Sequence, residues 1–429
     1  MINITDTSTL IPVSGLMLVY FIIFRFFSNP VRVHEFDDFG FVNIIMSVAM
    51  AVISYLVYIG LMPSPAFSET IANLLSFYIA VFLIGKLLGV QKSMAGNANT
   101  FKKVFSQADG LELYCSLLIV IFTISTVFFS YIQLRFGISP EDRIVFAKQF
   151  RIIDILRGGS LGIILPLSLL LYIIFKNRLS LLSIITCTVL SATLGSKSFF
   201  LTVVISYFTV TGLYRGGIRF YSDIKSIVIL FCIIFSSVFF VLFYYSENAD
   251  QALLKFIQRI VYAGDVFIYA YNLTDYHKLI DLYNPVTYFL HPFLRLVGLQ
   301  GYDLPIGSEL AASAFGVRDG TGPNANFSVV ALVLMQGNVL ASATLCFCAG
   351  ALVALMKYLS SRMLLADRIP PIWRISGSLV LFPSAWLLID VGEWEQKMVT
   401  AILVFGLISI IFEVLGGKYF RSPPVIRKT

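Results

Sequence analysis

The chain has 429 residues, of which 58% are hydrophobic and 13% are charged, and its mean hydropathy is +0.86. Soluble globular domains carry roughly 25% charged residues, so this composition excludes an ordinary soluble protein and indicates a chain embedded in lipid. The formal net charge of +7 is typical of basic loops that face anionic lipid, and it does not indicate a nucleic-acid partner.

Apolar runs recur along the whole chain at the length that a helix needs to cross a bilayer, which is about 20 residues. Backbone groups in lipid must be hydrogen-bonded within their own segment, so the runs are helices. We predict an all-α polytopic membrane protein with about eleven spanning helices, in a range of about ten to twelve, folded as one domain over residues 1–429. The predicted spans are 10–27, 40–62, 71–90, 113–134, 158–175, 181–195, 198–214, 227–245, 326–356, 372–389 and 397–415.

The region around Gly195 leaves the parity of the topology open. Residues 195–198 separate two short predicted spans. They form either a tight hairpin or a break within one helix, and the second alternative would change the number of crossings.

The distribution of Lys and Arg predicts the orientation. The loop at 91–112, with Lys92, Lys102 and Lys103, is predicted to be cytoplasmic, and the N-terminus then lies outside. Residues 1–10 contain no basic residue, so the first span is predicted to be a retained anchor rather than a cleaved signal. The other basic residues on the cytoplasmic side are Arg25, Arg32, Lys176, Arg178, Arg215, Arg219, Lys225, Arg362, Arg368, Lys418, Arg421, Arg427 and Lys428.

Two predicted outer segments depart from the positive-inside pattern. The segment at 135–157 and the large extracytoplasmic loop at 246–325 are both rich in Lys and Arg. Long loops cross the membrane whatever their charge, which accounts for the second segment without a ligand. The alternative is an anionic ligand, because guanidinium groups match phosphate oxygens in pairs.

The large loop also contains many aromatic side chains with polar tips. Its tyrosines suit the faces of sugars, and they suit an interfacial aromatic belt equally well. No metal-ligating or nucleotide-binding motif accompanies them, so no cofactor or metal is predicted. All five cysteines lie in predicted spans and are predicted to be packing residues.

Three local patterns resemble the O-antigen polymerases, the membrane polymerases of oligosaccharide repeat units. They are Arg157-Gly158-Gly159-Ser160, Gly195-Ser196-Lys197-Ser198-Phe199-Phe200, and Gly322-Pro323-Asn324-Ala325-Asn326-Phe327 followed by Gln336-Gly337-Asn338. The resemblance implies a fold like that of the GT-C glycosyltransferases, in the inner membrane of a bacterium. It also implies joining of undecaprenyl-diphosphate-linked oligosaccharides at the outer leaflet without a metal, functional arginines in two outer loops, and a chain-length regulator protein as partner.

The chemistry itself indicates which residue types are needed. Without a metal, fixed cations must stabilise the charge that builds up on the leaving diphosphate. The attacking hydroxyl needs a carboxylate or histidine as general base. The candidate diphosphate-binding residues are Arg151, Arg157, Arg259, Arg295 and Arg318, with Lys197 next, and the candidate bases are Asp265, Glu309 and His291.

Three other functions remain open. An O-antigen ligase shares this layout. A metal-dependent polyprenyl-monophosphate-sugar transferase would need acidic residues in the first outer loop, where residues 63–70 offer only Glu69. A lipid-linked oligosaccharide flippase would place ionisable groups or broken helices within the membrane.

Overall fold

A computed structural model describes residues 7–95, 97–106, 111–136, 164–193, 197–215 and 338–388, together with some isolated positions. All regular structure in these ranges is helical. The helices are α1 (Thr7–Ser28), α2 (Asp38–Tyr58), α3 (Ser64–Leu87), α4 (Val90–Ala95), α5 (Asn97–Ser106), α6 (Leu111–Arg135), α7 (Ile164–Phe175), α8 (Arg178–Thr193), α9 (Lys197–Arg215), α10 (Val339–Leu365) and α11 (Pro371–Leu381). Short 3-10 segments follow α1 at Asn29–Val31 and α11 at Ser384–Leu388.

Five of the described helices, α1, α2, α3, α6 and α10, are long and apolar enough to cross a membrane. This confirms the prediction of a helical membrane protein with several spans. Helices α7, α8 and α9 are apolar but shorter in their described parts. The spans predicted at 227–245 and 397–415 lie outside the described residues, apart from isolated helical positions.

Two predicted spans have different bounds in the structure. The span predicted at 326–356 is helical from Val339 and continues to Leu365. The span predicted at 372–389 is not continuous, because α11 ends at Leu381 and a 3-10 segment follows. Pro383 lies between them, and a proline removes a helical hydrogen bond and disfavours helix at the residue before it.

Helices α3 and α10 form the closest pair in the described part of the chain. Gly350 of α10 lies directly on the backbone of Phe77 in α3, so that any Cβ at this position would collide with the Phe77 carbonyl. Near the start of α10, Ser342 contacts Asn73, and near its end Ser361 contacts Ser93. The two helices therefore run in the same direction. This is the arrangement expected for the third and ninth predicted spans, 71–90 and 326–356.

Helix α2 packs against α1 in the opposite direction. Tyr20 of α1 hydrogen-bonds Ser54 of α2 at 2.8 Å, while Asn43 near the start of α2 donates to Ser28 at the end of α1. The Phe24 ring stacks on Tyr78 of α3 with 4.5 Å between centroids. This three-helix packing forms the centre of the largest buried apolar cluster.

The described helices on either side of residues 194–196 form a hairpin. Helix α8 starts beside the start of α6, where Asn177 contacts Ser116 at 3.0 Å. Helix α9 ends beside the segment between α1 and α2, because a Cβ on Gly212 would lie 2.8 Å from the Val33 carbonyl oxygen. Both helices therefore have one terminus at the same end of the bundle, which favours the hairpin over a single broken helix.

These directions define two ends of the bundle. At the basic end, helices α1, α3, α7, α9 and α10 finish and α2, α6, α8 and α11 begin. At the far end, α2, α6 and α8 finish and α1, α3, α7, α9 and α10 begin.

Candidate functional site

The residues predicted for catalysis and diphosphate binding fall almost entirely outside the described part of the chain. Lys197 is the exception: it is the first residue of α9, towards the far end. The others lie outside the described residues, so their roles stay predictions: Asp265, Glu309, His291, Arg151, Arg157, Arg259, Arg295 and Arg318. The ion pairs among the described residues lie at the basic end.

A fully buried ion pair joins α2 to α10 at the basic end. Lys357 Nζ lies 2.5 Å from Asp38 Oδ1, and both side chains are 0% exposed. The second carboxylate oxygen of Asp38 accepts a 3.0 Å hydrogen bond from the backbone N–H of Ala385. The Lys357 ammonium also lies 3.6 Å from the centroid of the Phe382 ring. The pair therefore fixes the helix break at Pro383 against two spanning helices.

A second ionic cluster lies in the segment between α1 and α2. The carboxylate of Glu35 accepts hydrogen bonds from Arg25 Nη2 at 2.5 Å and from Arg32 Nη1 at 2.7 Å. Burial alone raises the pKa of Glu35, but the hydrogen bonds and charges of the two arginines outweigh it and hold this pKa at about 2. Glu35 is therefore ionised at neutral pH and neutralises the buried Arg32.

Asp37 shapes the same segment through backbone contacts. Its carboxylate accepts from the N–H groups of Val33 and His34 and caps α2 by accepting from Gly40 at 3.0 Å. An Asp at this position satisfies donors that the first helical turn cannot bond itself. The His34 ring stacks on Phe208 of α9 with 4.5 Å between centroids, so the cap also anchors α9.

Cations over aromatic rings mark the last turns of three parallel helices at the basic end. The pairs are Lys86 over Phe82, Lys176 over Tyr172 and Arg362 over Tyr358, with 4.3, 5.3 and 5.3 Å from cation to ring centroid. Long cationic side chains with apolar stems extend to the polar interface in this way, and cations favour helix C-termini. The three cations therefore lie at one end of the bundle, as expected for side chains at a membrane interface.

Sequence reasoning missed Asp38 and Lys357 as partners. Asp38 lies just before the predicted span 40–62 and Lys357 just after 326–356, where charged residues ordinarily face water. Pro383 inside a predicted span was the available signal, because a helix break in lipid needs partners for the freed backbone groups. The sequence does not show that Asp38 is the group that accepts from the Ala385 N–H, or that Lys357, 319 positions away, pairs with Asp38.

Among the described residues, no group of three or more His, Cys, Asp or Glu side chains could hold a metal. The described cysteines Cys115, Cys187, Cys346 and Cys348 form no disulfide, and Cys115 and Cys346 are buried in the apolar core. Chemically, the buried ionic groups of the basic end are paired with one another, as in Asp38 with Lys357 and Glu35 with Arg32.

Comparison with known protein families gives no match for this chain. Comparisons with curated proteins and with solved structures likewise give no match.

Proposed function

We propose that this chain is a metal-independent glycosyltransferase of a bacterial cytoplasmic membrane. It joins undecaprenyl-diphosphate-linked oligosaccharide repeat units into O-antigen or a related surface polysaccharide. The chain would have about eleven spans in a GT-C-like arrangement. Two basic outer segments, 135–157 and 246–325, would lie at the outer leaflet and bind the substrate. A chain-length regulator protein is the proposed partner.

The observation that carries this proposal is the separation of charge along the bundle. Described basic side chains such as Lys86, Lys176 and Arg362 gather at the basic end, and the positive-inside rule assigns that end to the cytoplasm. With this orientation, α6 finishes and α10 begins at the outer leaflet. In the sequence, the two segments whose arginines break the rule follow α6 (135–157) and precede α10 (246–325). We therefore propose that they lie at the leaflet where a diphosphate-linked donor would be used.

In the proposed reaction, an acceptor hydroxyl attacks the anomeric carbon of the donor while the bond to the diphosphate oxygen breaks. A carboxylate or imidazole, Asp265, Glu309 or His291, takes the hydroxyl proton. Arginines stabilise the departing undecaprenyl diphosphate, as preorganised cations do for developing negative charge. A single displacement inverts the anomeric centre, and a product that keeps the donor's configuration would refute this step.

The test uses purified full-length protein in nanodiscs with the undecaprenyl-diphosphate repeat unit and EDTA. We expect a ladder of polymer lengths on a gel, lost in Arg157→Ala and in Arg295→Ala. Arg143→Ala and Lys278→Ala are matched controls from the same two segments, and they should keep the ladder. Of Asp265→Asn, Glu309→Gln and His291→Gln, one should abolish it.

The absence of a ladder from folded wild-type protein with intact substrate would contradict the proposal. Cells then separate the alternatives. Loss of a polymerase leaves single repeat units on the lipid A core, loss of a ligase leaves free lipid-linked polymer, and loss of a flippase leaves intermediates that face the cytoplasm.

A flippase is the second candidate, and one observation favours it. The buried Asp38–Lys357 pair at the Pro383 break combines a charged pair with a discontinuous helix, and this combination is common in transporters. Transport of a fluorescent lipid-linked oligosaccharide across liposomes, without a ladder, would support this candidate.

A further inference from the structure

Helix α10 begins beside the first half of its neighbour α3, not level with the first residue of α3. Asn338 is extended, and its side chain caps the helix by accepting from the N–H groups of Leu340 and Ala341. In the first turns, Ser342 Oγ lies 2.9 Å from Asn73 Oδ1. Because α3 and α10 run in the same direction and Thr70 precedes Asn73 by about one turn, Thr70 lies on the side of Asn73 towards the start of α10.

Two buried polar side chains of α3, Thr70 and Asn73, each have one unpartnered atom near this helix start. Thr70 and Asn73 are both 0% exposed. The Thr70 hydroxyl and the Asn73 amide nitrogen have no hydrogen-bond partner in the structure. The two residues are three positions apart on α3 and so share one face. Buried polar groups are normally satisfied, so two open groups beside one helix start indicate a binding position.

The electrostatics of the helix start favour an anion. The first turn of α10 contains no acidic residue, and its cap is a neutral amide, so the partial positive charge of the helix N-terminus is not compensated. The Val339 N–H has no partner within the helix, as at every helix start. The Val339 N–H, which the Asn338 cap leaves unpaired, suits a phosphate oxygen together with a side-chain amide and a hydroxyl.

The exposed apolar residues at the start of α10 indicate that the anion is part of a lipid. Val339 and Leu340 are 43% and 78% exposed, although both are apolar and belong to a membrane-spanning helix. Such exposed apolar residues face lipid in a membrane protein. An anion with a long hydrocarbon chain can therefore approach this helix start from within the bilayer.

We infer that Thr70, Asn73 and the first turn of α10, here termed the α10 site, bind a phosphate group of a polyprenyl diphosphate lipid. The inference rests on the proposed function, since it assigns to the α10 site the carrier of that reaction. The site adds neutral donors from the bundle itself to the arginines of the outer segments. Its role is to bind and position the carrier.

The test measures lipid binding to the full-length protein in detergent by native mass spectrometry. The probes are undecaprenyl diphosphate, undecaprenol and inorganic pyrophosphate. We expect Asn73→Leu and Thr70→Val each to weaken undecaprenyl diphosphate binding about tenfold, the size of one hydrogen bond. Thr209→Val is the matched control, because Thr209 is also buried with an unpartnered hydroxyl but lies on α9 near the basic end. It should leave binding unchanged.

A second measurement separates binding from folding. Without lipid, Thr70→Val should melt at or above the wild-type temperature, because the change removes an unsatisfied buried hydroxyl. A purely structural residue would instead lower the melting temperature and leave the affinity of the folded fraction unchanged, and that result would overturn the inference.

Three other results would overturn it. They are equal binding of undecaprenyl diphosphate by the wild type and both variants, binding of undecaprenol as tight as that of the diphosphate, and binding of inorganic pyrophosphate as tight as that of the lipid. The last would indicate a free anion as ligand.

A polymer ladder from the wild type, together with unchanged lipid binding by the variants, would refute the α10 site alone. Variant-sensitive binding without a ladder would refute the polymerase and leave the site standing.

Discussion

The side-chain amides described at the two ends of the bundle differ in how completely they are hydrogen-bonded. At the basic end, Asn43 donates to Ser28 and accepts from Tyr78, while both ends of the Asn177 amide are bonded as well. At the far end, Asn73 and Gln133 are buried, and each leaves one amide atom without a partner. Of these side-chain amides, the two at the far end each keep an unpaired atom and the two at the basic end do not, although hydroxyls such as that of Thr209 are unpaired near the basic end as well.

Charge explains why the buried ionic groups of the basic end occur in pairs. An ion removed from water is costly, and removing one member of a buried pair leaves an uncompensated charge. Asp38 with Lys357 and Glu35 with Arg32 therefore occur as pairs. An unpartnered neutral amide costs only about 1 to 3 kcal/mol. A helical membrane protein can carry that cost at a position where a ligand supplies the missing bond.

The largest effect should come from breaking the buried pair at the basic end. Lys357→Met leaves the Asp38 carboxylate buried without a counter-ion, and we expect a loss of about 3 to 5 kcal/mol of unfolding free energy. The double variant Asp38→Asn with Lys357→Met should recover most of it, because the Asn oxygen can still accept from Ala385. Thermal unfolding in detergent measures both. A double variant less stable than Lys357→Met would contradict the assignment of the loss to an unpaired charge.

The ionic cluster at Glu35 should make the basic end sensitive to acid. Because the pKa of Glu35 is lowered from 4.5 to about 2 on folding, its stabilisation is complete above about pH 5 and is lost as the pH falls through about 2. We expect Glu35→Gln to cost roughly 2 kcal/mol at pH 7, since Arg25 is half exposed to solvent. The difference in unfolding free energy between the two proteins should shrink as the pH falls from about 5 to 3. A gap that stays constant over this range would contradict the prediction.

The smallest expected effect is the difference in unfolding free energy between variants of Asn43 at the basic end and Asn73 at the far end. Asn43→Leu removes one donor and one acceptor bond and leaves the Tyr78 hydroxyl buried without a partner, so it should cost about 1 to 3 kcal/mol. Asn73→Leu removes a single bond to Ser342 together with an unsatisfied donor, and its cost should be below about 1 kcal/mol. Paired unfolding curves of the ligand-free variants test the difference. Equal costs would remove the distinction between the two ends.

Sequence and structure agree where the membrane itself sets the rule. Apolar runs of spanning length predicted the five described spans, because lipid requires each segment to bond its own backbone. The positions of Lys and Arg likewise predicted a common basic end, which the directions of α3, α6, α8 and α10 reproduce. The arginines and candidate bases of the outer segments remain predictions.

The amino-acid sequence by itself determined the helical class, the approximate positions of the five described spans and the charge separation among the described residues, because each depends on local composition read against the bilayer. Only the tertiary structure decided that Asp38 pairs with Lys357 across 319 positions, and that Asn73 faces Ser342 across 269. It also decided the start of α10 at Val339 and the break after α11. These features depend on which helix faces lie together, and the contact of Gly350 with the Phe77 backbone sets one such register. Packing between distant helices has no local signature, since lipid and a neighbouring helix are equally apolar surroundings.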